Sequence, residues 1–234
     1  MANTPVVVLD DTLTNIANAI RGKNGSSDKY KPGQMADAID NIPAGSLGIP
    51  REVIDGVYKI PETITSFSLP SNATDVGPNA LAYAFYSCPS LTSVDLSSLT
   101  KVSGEDAFYE AFYKCTSLTS VDLSSLTTLS GRNALAYAFD VCTALTSVDL
   151  SSLTTVSGYH SLYNTFSRCS SLTSLSFPAL TVAGLQYGSS QFDNMLYGVT
   201  GCTVHFPAAV KAKIEATSGY PNFGGTNTTV LFDL

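Results

Sequence analysis

The chain has 234 residues, of which 44% are hydrophobic and 13% charged, and its net charge is -7. This is enough apolar content for a sizeable core, so disorder is set aside, and the basic footprint of a phosphate-backbone binder is missing, so nucleic acid is set aside as a partner. No run approaches the roughly 18 apolar residues needed to span a bilayer, which argues against membrane insertion.

The first 45 residues differ in pattern from the rest of the chain. Asp11 or Thr12 can cap a short helix that carries Leu13, Ile16, Ala17 and Ile20 at helical spacing. Asn24-Gly25 marks a turn, and Pro32 suits the first position of a second helix with Met35, Ala36 and Ile39 on one face, ended by Pro43. Residues 1–45 are thus expected to form a helical hairpin, too small for a core of its own. Its apolar face should lead to self-association through residues 1–45 or to docking on a partner. Residues 1–11 lack a basic flank and Val6 to Leu9 is too short for a signal peptide, so either the chain is not exported by that route or a signal has been removed. Residues 46–63 read as a linker followed by a capping β-hairpin, in which Asp55-Gly56 separates two β-prone runs.

From residue 64 to 206 the chain repeats. Cys88, Cys115, Cys142 and Cys169 are each 27 residues apart, as are Gly77, Gly104, Gly131 and Gly158, and Phe85, Phe112, Phe139 and Phe166. A fixed period of this size marks a solenoid whose units bury their apolar faces only against each other. Within a unit, Val94 and Leu96 alternate with Ser93, Asp95 and Ser97, the period of a strand with one buried face. Leu99 and Val102 add core contacts from the turn after the strand, and Gly104 is expected to hold a backbone conformation that a side chain would obstruct. Leu81, Ala84, Phe85 and Cys88 then fall at i, i+3, i+4 and i+7, a helical stripe. The period loosens after Leu180, and residues 207–234 read as a C-terminal cap: a helix from Pro207 through Val210 and Ile214, then a strand from Thr229 to Phe232.

The phrase L-x-x-V-x-L, with an A-F-x-x-C segment before the next leucine, resembles the BspA-like class of bacterial leucine-rich repeats, with serine where that class usually has proline after the strand. The resemblance implies an α/β repeat fold: a leucine-rich-repeat solenoid of 27-residue strand-turn-helix units, here with an N-terminal helical hairpin and caps at both ends. It also implies adhesion at a bacterial cell surface or outside the cell. Two short segments, Leu13 to Ile42 and Gly219 to Gly225, are similar to stretches of phage and prophage tail-associated proteins, which would imply a structural part in a virion or prophage particle instead.

Catalysis needs convergent acids, bases or nucleophiles, and the two histidines, His160 and His205, lie in no such motif, so no enzyme is expected. There is no C-x-x-C pair, nucleotide fingerprint or histidine cluster, so neither a cofactor nor a zinc site is expected. Four of the five cysteines share one core-facing repeat position and are expected to be reduced. Two candidate binding surfaces arise from the repetition itself. Asp95, Asp122 and Asp149 form one outward column with neighbours about 5 Å apart, which reads as a solvated acidic strip within a serine ladder or as a calcium site. Tyr83, Tyr86, Tyr109, Tyr113, Tyr137 and Tyr163 point away from the core, either to recognise a protein or glycan partner or to pack on one another and stiffen the array.

Overall fold

The computed structural model describes the backbone of residues 52–54 and 57–59, and residues 63–69, 71, 73–185 and 190–234 in full. The helical hairpin expected over residues 1–45 and the linker of 46–50 lie outside the described residues. Strands β1 (Glu52–Ile54) and β2 (Val57–Lys59) pair antiparallel with Ile54 opposite Val57, the register that the Asp-Gly signal between them predicts. They form a sheet of their own, not hydrogen-bonded to any repeat strand.

The repeats stack as a β-solenoid with three walls. One wall is a parallel sheet of β3 (Ser66–Ser68), β5 (Ser93–Asp95), β7 (Ser120–Asp122) and β9 (Ser147–Asp149), paired so that each residue faces its copy in the next repeat. The central residue turns inward in each, leaving Phe67, Val94 and Val121 buried and the flanking serines and aspartates exposed. A second wall escaped the sequence reading. The two-residue strands β4 (Asp75–Val76), β6 (Lys101–Val102), β8 (Thr128–Leu129) and β10 (Thr155–Val156) form their own parallel sheet, with Val76, Val102, Leu129 and Val156 buried. After β9 and β10 the array continues as β11 (Ser174–Ser176), β12 (Thr203–His205) and β13 (Thr229–Leu231), also parallel. Leu175 pairs with Val204, as the loosened period implies.

The third wall corrects the sequence reading. No helix forms between Pro78 and Cys88 or in its copies; the segment is a run of turns. Alternate N–H groups bond three residues back, as Ala84 does to the Leu81 carbonyl (3.0 Å), while those between them reach the next repeat, as Leu81 does to Ala107 (2.8 Å) and Phe85 to Ala111 (2.7 Å). The reason is spacing. Two laddered strand walls set a rise of about 4.8 Å per repeat, and α-helices cannot approach closer than about 8–10 Å. One helix per repeat therefore cannot fit unless the solenoid bends sharply. Tandem turns fit, at the cost of left-handed backbone at one residue in four, for example Asn79 (φ 55°), Tyr83 (φ 58°) and Ser87 (φ 57°). The apolar stripe is nonetheless buried where the spacing placed it, at Leu81, Phe85 and Cys88.

The core runs unbroken down the axis. Phe85, Phe112, Phe139 and Phe166 stack at 5.1, 5.3 and 5.8 Å with planes within 11° of parallel. Each ring is wholly buried, a contribution of about 1.5–3 kcal/mol apiece. The five cysteines are buried thiols, and those of Cys115, Cys142 and Cys169 donate to the carbonyls of Phe85, Phe112 and Phe139 at 3.1–3.2 Å. The repeated glycine is required for space rather than for its φ: a Cβ on Gly131 would lie 2.0 Å from the Gly104 carbonyl oxygen, and one on Gly158 2.0 Å from that of Gly131.

At the C-terminal end a 3-10 turn, Ala208–Val210, leads from Pro207 into the short helix α1 (Lys211–Glu215). Val210 and Ile214 plug the core there, joined by Phe223. β13 then extends the strand ladder and stays at its edge, with Leu231 exposed. Among the described residues no helix is long and apolar enough to cross a membrane.

Candidate functional site

The strand wall carries the first candidate surface. Because side chains alternate along a strand, the in-register copies build a hydroxyl column from Ser66 through Ser93, Ser120 and Ser147, and a second column of Ser68, Asp95, Asp122 and Asp149. The three Ser-Val-Asp triplets of β5, β7 and β9 line an open concavity of about 610 Å³.

Like charges on adjacent strands repel, and hydrogen bonds answer that repulsion here. The carboxylates of Asp95, Asp122 and Asp149 accept the backbone N–H groups of Ser97, Ser124 and Ser151, each at 2.9 Å. Asp95 also accepts the Ser68 hydroxyl at 3.0 Å. Bonds from the Ser97 hydroxyl and N–H hold the Asp95 pKa below its ordinary value, against a smaller opposing effect of burial. Among the described residues no three His, Cys, Asp or Glu side chains converge to hold a metal ion.

The turn wall carries the second surface. Tyr83, Tyr109, Tyr137 and Tyr163, expected on helices, sit on successive turn segments and meet edge to face at 5.5, 5.7 and 5.3 Å. Tyr86 stacks on Tyr113 at 4.8 Å, and Lys114 lies over the Tyr113 ring. The rings pack on one another and remain accessible: Tyr83 is 54% and Tyr86 44% exposed, while the other four are half-buried. Partial burial raises the phenol pKa of Tyr83 and of Tyr109, with Glu110 adding to both. Glu110, itself raised by burial, takes a hydrogen bond from Tyr109.

The two histidines do not share a site. His160 lies on the turn wall between Tyr159 (3.9 Å) and Tyr163 (4.7 Å), and burial lowers its pKa, aided by Arg132 and opposed by Asp193. His205, on β12, pairs with Asp233 at 3.0 Å.

The sequence reading missed two features. Tyr159 and Tyr197 are also strongly exposed aromatics; they sit off the repeat position that drew attention to the other six. Asp140, 1% exposed, is held by a two-pronged bond from Arg168 one repeat on, Nε to Oδ1 at 3.0 Å and Nη2 to Oδ2 at 2.5 Å. The signal was present in the register: Asp140 stands 27 residues after Tyr113, replacing a ring with a buried acid that then needs a cation.

Comparison with known proteins picks out the repeats. Residues 82–197 match the family described as BspA type leucine rich repeat region, in six copies. No curated protein matches the sequence. Two solved structures are similar in part. One is a leucine rich cell surface protein from Faecalibacterium prausnitzii A2-165, 22% identical with a TM-score of 0.33, covering 66% of this chain and 42% of its own. The other is the pneumococcal vaccine antigen PcpA, 15% identical with a TM-score of 0.43, covering 79% of this chain and 48% of its own. The chain thus spans less than half the length of either.

Proposed function

We propose that this chain, whose repeats match the BspA type, is a non-enzymatic recognition module that acts in adhesion at a bacterial cell surface or outside the cell, binding a protein or carbohydrate through its repeat surface. The observation that carries the reading is the strand wall: three identical Ser-Val-Asp triplets in register, lining one open concavity. An array of small hydroxyls and carboxylates at a fixed pitch offers repeated hydrogen bonds to a polymer or an extended surface. The test is an array of glycans and matrix proteins probed with the purified chain. Retention of a defined ligand class, weakened by Asp95→Asn with Asp122→Asn and Asp149→Asn or by loss of the exposed tyrosines, supports the reading. Conversion of a ligand to product would refute it.

Residues 1–45 supply the second element of the proposal. Their apolar positions Ile16, Ile20, Met35 and Ile39 suit self-association or attachment to a partner, in a surface assembly or in a tail particle. Light scattering on the full chain and on a chain beginning at Ile49 tests this. The full chain is expected to be the larger species by at least a factor of two, and a monomeric full chain would contradict self-association.

A further inference from the structure

We infer that the outer edge of β13 is a contact between two copies of this chain, paired antiparallel about a two-fold axis at Val230. This goes beyond the recognition reading and sets two repeat surfaces side by side in one sheet. The backbone supplies the first argument. The Thr229 N–H donates to the Cys202 carbonyl at 3.0 Å, and the Leu231 carbonyl accepts the Phe206 N–H at 2.9 Å. Bonding groups alternate between the two sides of a strand, so the N–H and carbonyl of Val230 point away from β12. The sheet order β11-β12-β13 places no described strand there. Such an edge is a template for another strand unless charge or proline blunts it. Residues 216–232 carry no charged side chain, and no proline follows Pro221.

The side chains supply the second. On the core face, Leu175 and Val204 are buried, whereas their next copy, Val230, is half-buried. Phe232 stacks on the buried Phe206 at 6.1 Å and is likewise covered only in part. On the outer face the ladder carries Ser176 on β11 and His205 on β12, then changes to Leu231 on β13. Leu231 is 37% and Leu234 49% exposed. The outward position thus turns apolar on the one strand of this sheet that has an open side, which is where burial by a neighbour would reward it.

A second copy answers both faces at once. Centred on Val230, antiparallel pairing lets the two Val230 residues exchange N–H to carbonyl bonds, with their side chains together on the core face. On the outer face Thr229 stands opposite Leu231 of the second copy, and the two Leu231 side chains lie diagonal to one another. Asp233, the one charge after Glu215, falls beyond the paired residues, so like charges do not meet. Head-to-tail stacking on β3 would instead set Leu231 beside Ser68, the outward residue of that strand, and leave it poorly covered. The self-paired edge closes after two copies, as isologous contacts do.

The experiment is analytical ultracentrifugation of the full chain over a range of concentrations. Ile16→Asp with Ile20→Asp removes the apolar face proposed for residues 1–45, so that association through the β13 edge is read alone. This background is expected to form a species of twice the chain mass that dissociates on dilution. Adding Val230→Pro removes the outward N–H and leaves the bonds of Thr229 and Leu231 to β12 in place. Adding Leu231→Lys instead sets a charge close to its own copy. Each should weaken the dimer about tenfold or more, and the surface variant Leu231→Lys stands in if the proline variant fails to fold. A monomeric background, a dimer that survives both edge variants, or open-ended growth beyond the dimer would overturn the inference. The two contacts are told apart by the unaltered chain: association that Ile16→Asp/Ile20→Asp abolishes belongs to residues 1–45 and sinks the β13 edge.

Discussion

The rings of Phe112 and Phe139 stack at 5.3 Å with 2° between their planes, one full repeat apart. That near-perfect translation is repeated by glycines, cysteines and strands alike, so each repeat packs its core residues against the copies in its neighbour. The behaviour of the whole then depends on contacts between repeats more than on contacts within one.

The tightest of these contacts is at glycine. Gly131→Ala would drive a methyl to 2.0 Å from the Gly104 carbonyl oxygen, with only backbone around it to move. We expect a loss of about 3 kcal/mol or more, the severe end for over-packing. Gly201→Ala meets nothing within 4 Å and is strained only by its φ of +74°, so it should lose about 1–2 kcal/mol. Chemical denaturation of the two variants checks the order.

The thiols should make the fold sensitive to alkali. Burial pushes the Cys115 thiol up to about 12 and the Cys202 thiol up to about 11, against an ordinary 9.0. A group whose pKa is raised on folding contributes stability that is fully present below its unfolded value. That contribution is lost as pH rises toward the folded value, at about 1.4 kcal/mol per pH unit per thiol. Stability should therefore fall from about pH 9 upward, and less steeply in Cys115→Ala. Cys115→Ser should lose only about 1 kcal/mol at neutral pH, because the Phe85 carbonyl is already placed to accept the new hydroxyl. Reductant should leave Tm unchanged, and a large drop would show disulfides holding the array.

Arg168→Ala should strand the Asp140 carboxylate in a buried position. A loss of about 3 kcal/mol is expected, because removing one partner leaves an uncompensated charge. The double variant Arg168→Ala/Asp140→Asn should recover part of it, and a thermal melt of both variants decides.

Calcium should leave Tm unchanged. Each aspartate of the column already accepts a backbone N–H, and among the described residues no cluster of three acidic, His or Cys side chains stands ready to supply the six to eight ligands the ion takes. A rise of several degrees that Asp122→Asn abolishes would contradict this.

How far each part of this fold could be read from the sequence depends on what sets it. The strands at Val94 and Val121 were legible because alternation has one structural meaning. The stripe of Leu81, Ala84, Phe85 and Cys88 was misread as helix because tandem turns bury the same positions. What forbids a helix is the rise between repeats, a property of the stack that no single repeat contains. The two-residue strand at Lys101 and Val102 is too short to show a period. For the candidate surfaces, the positions of Asp95 and Tyr83 were set by repetition, whereas the hydrogen bonds that quiet the aspartates depend on a local turn at Ser97. Arg168 was passed over because nothing in its own repeat calls for a cation.

The most direct test of the recognition account is calorimetric titration of the strongest array ligand into three proteins: the intact chain, Asp95→Asn/Asp122→Asn/Asp149→Asn, and Tyr83→Ala/Tyr86→Ala. The account predicts saturable binding to the intact chain and a loss of about tenfold or more in at least one surface variant, with the Tm of that variant within a few degrees of the parent. Equal affinity for all three proteins would contradict it, placing recognition away from the repeat surface.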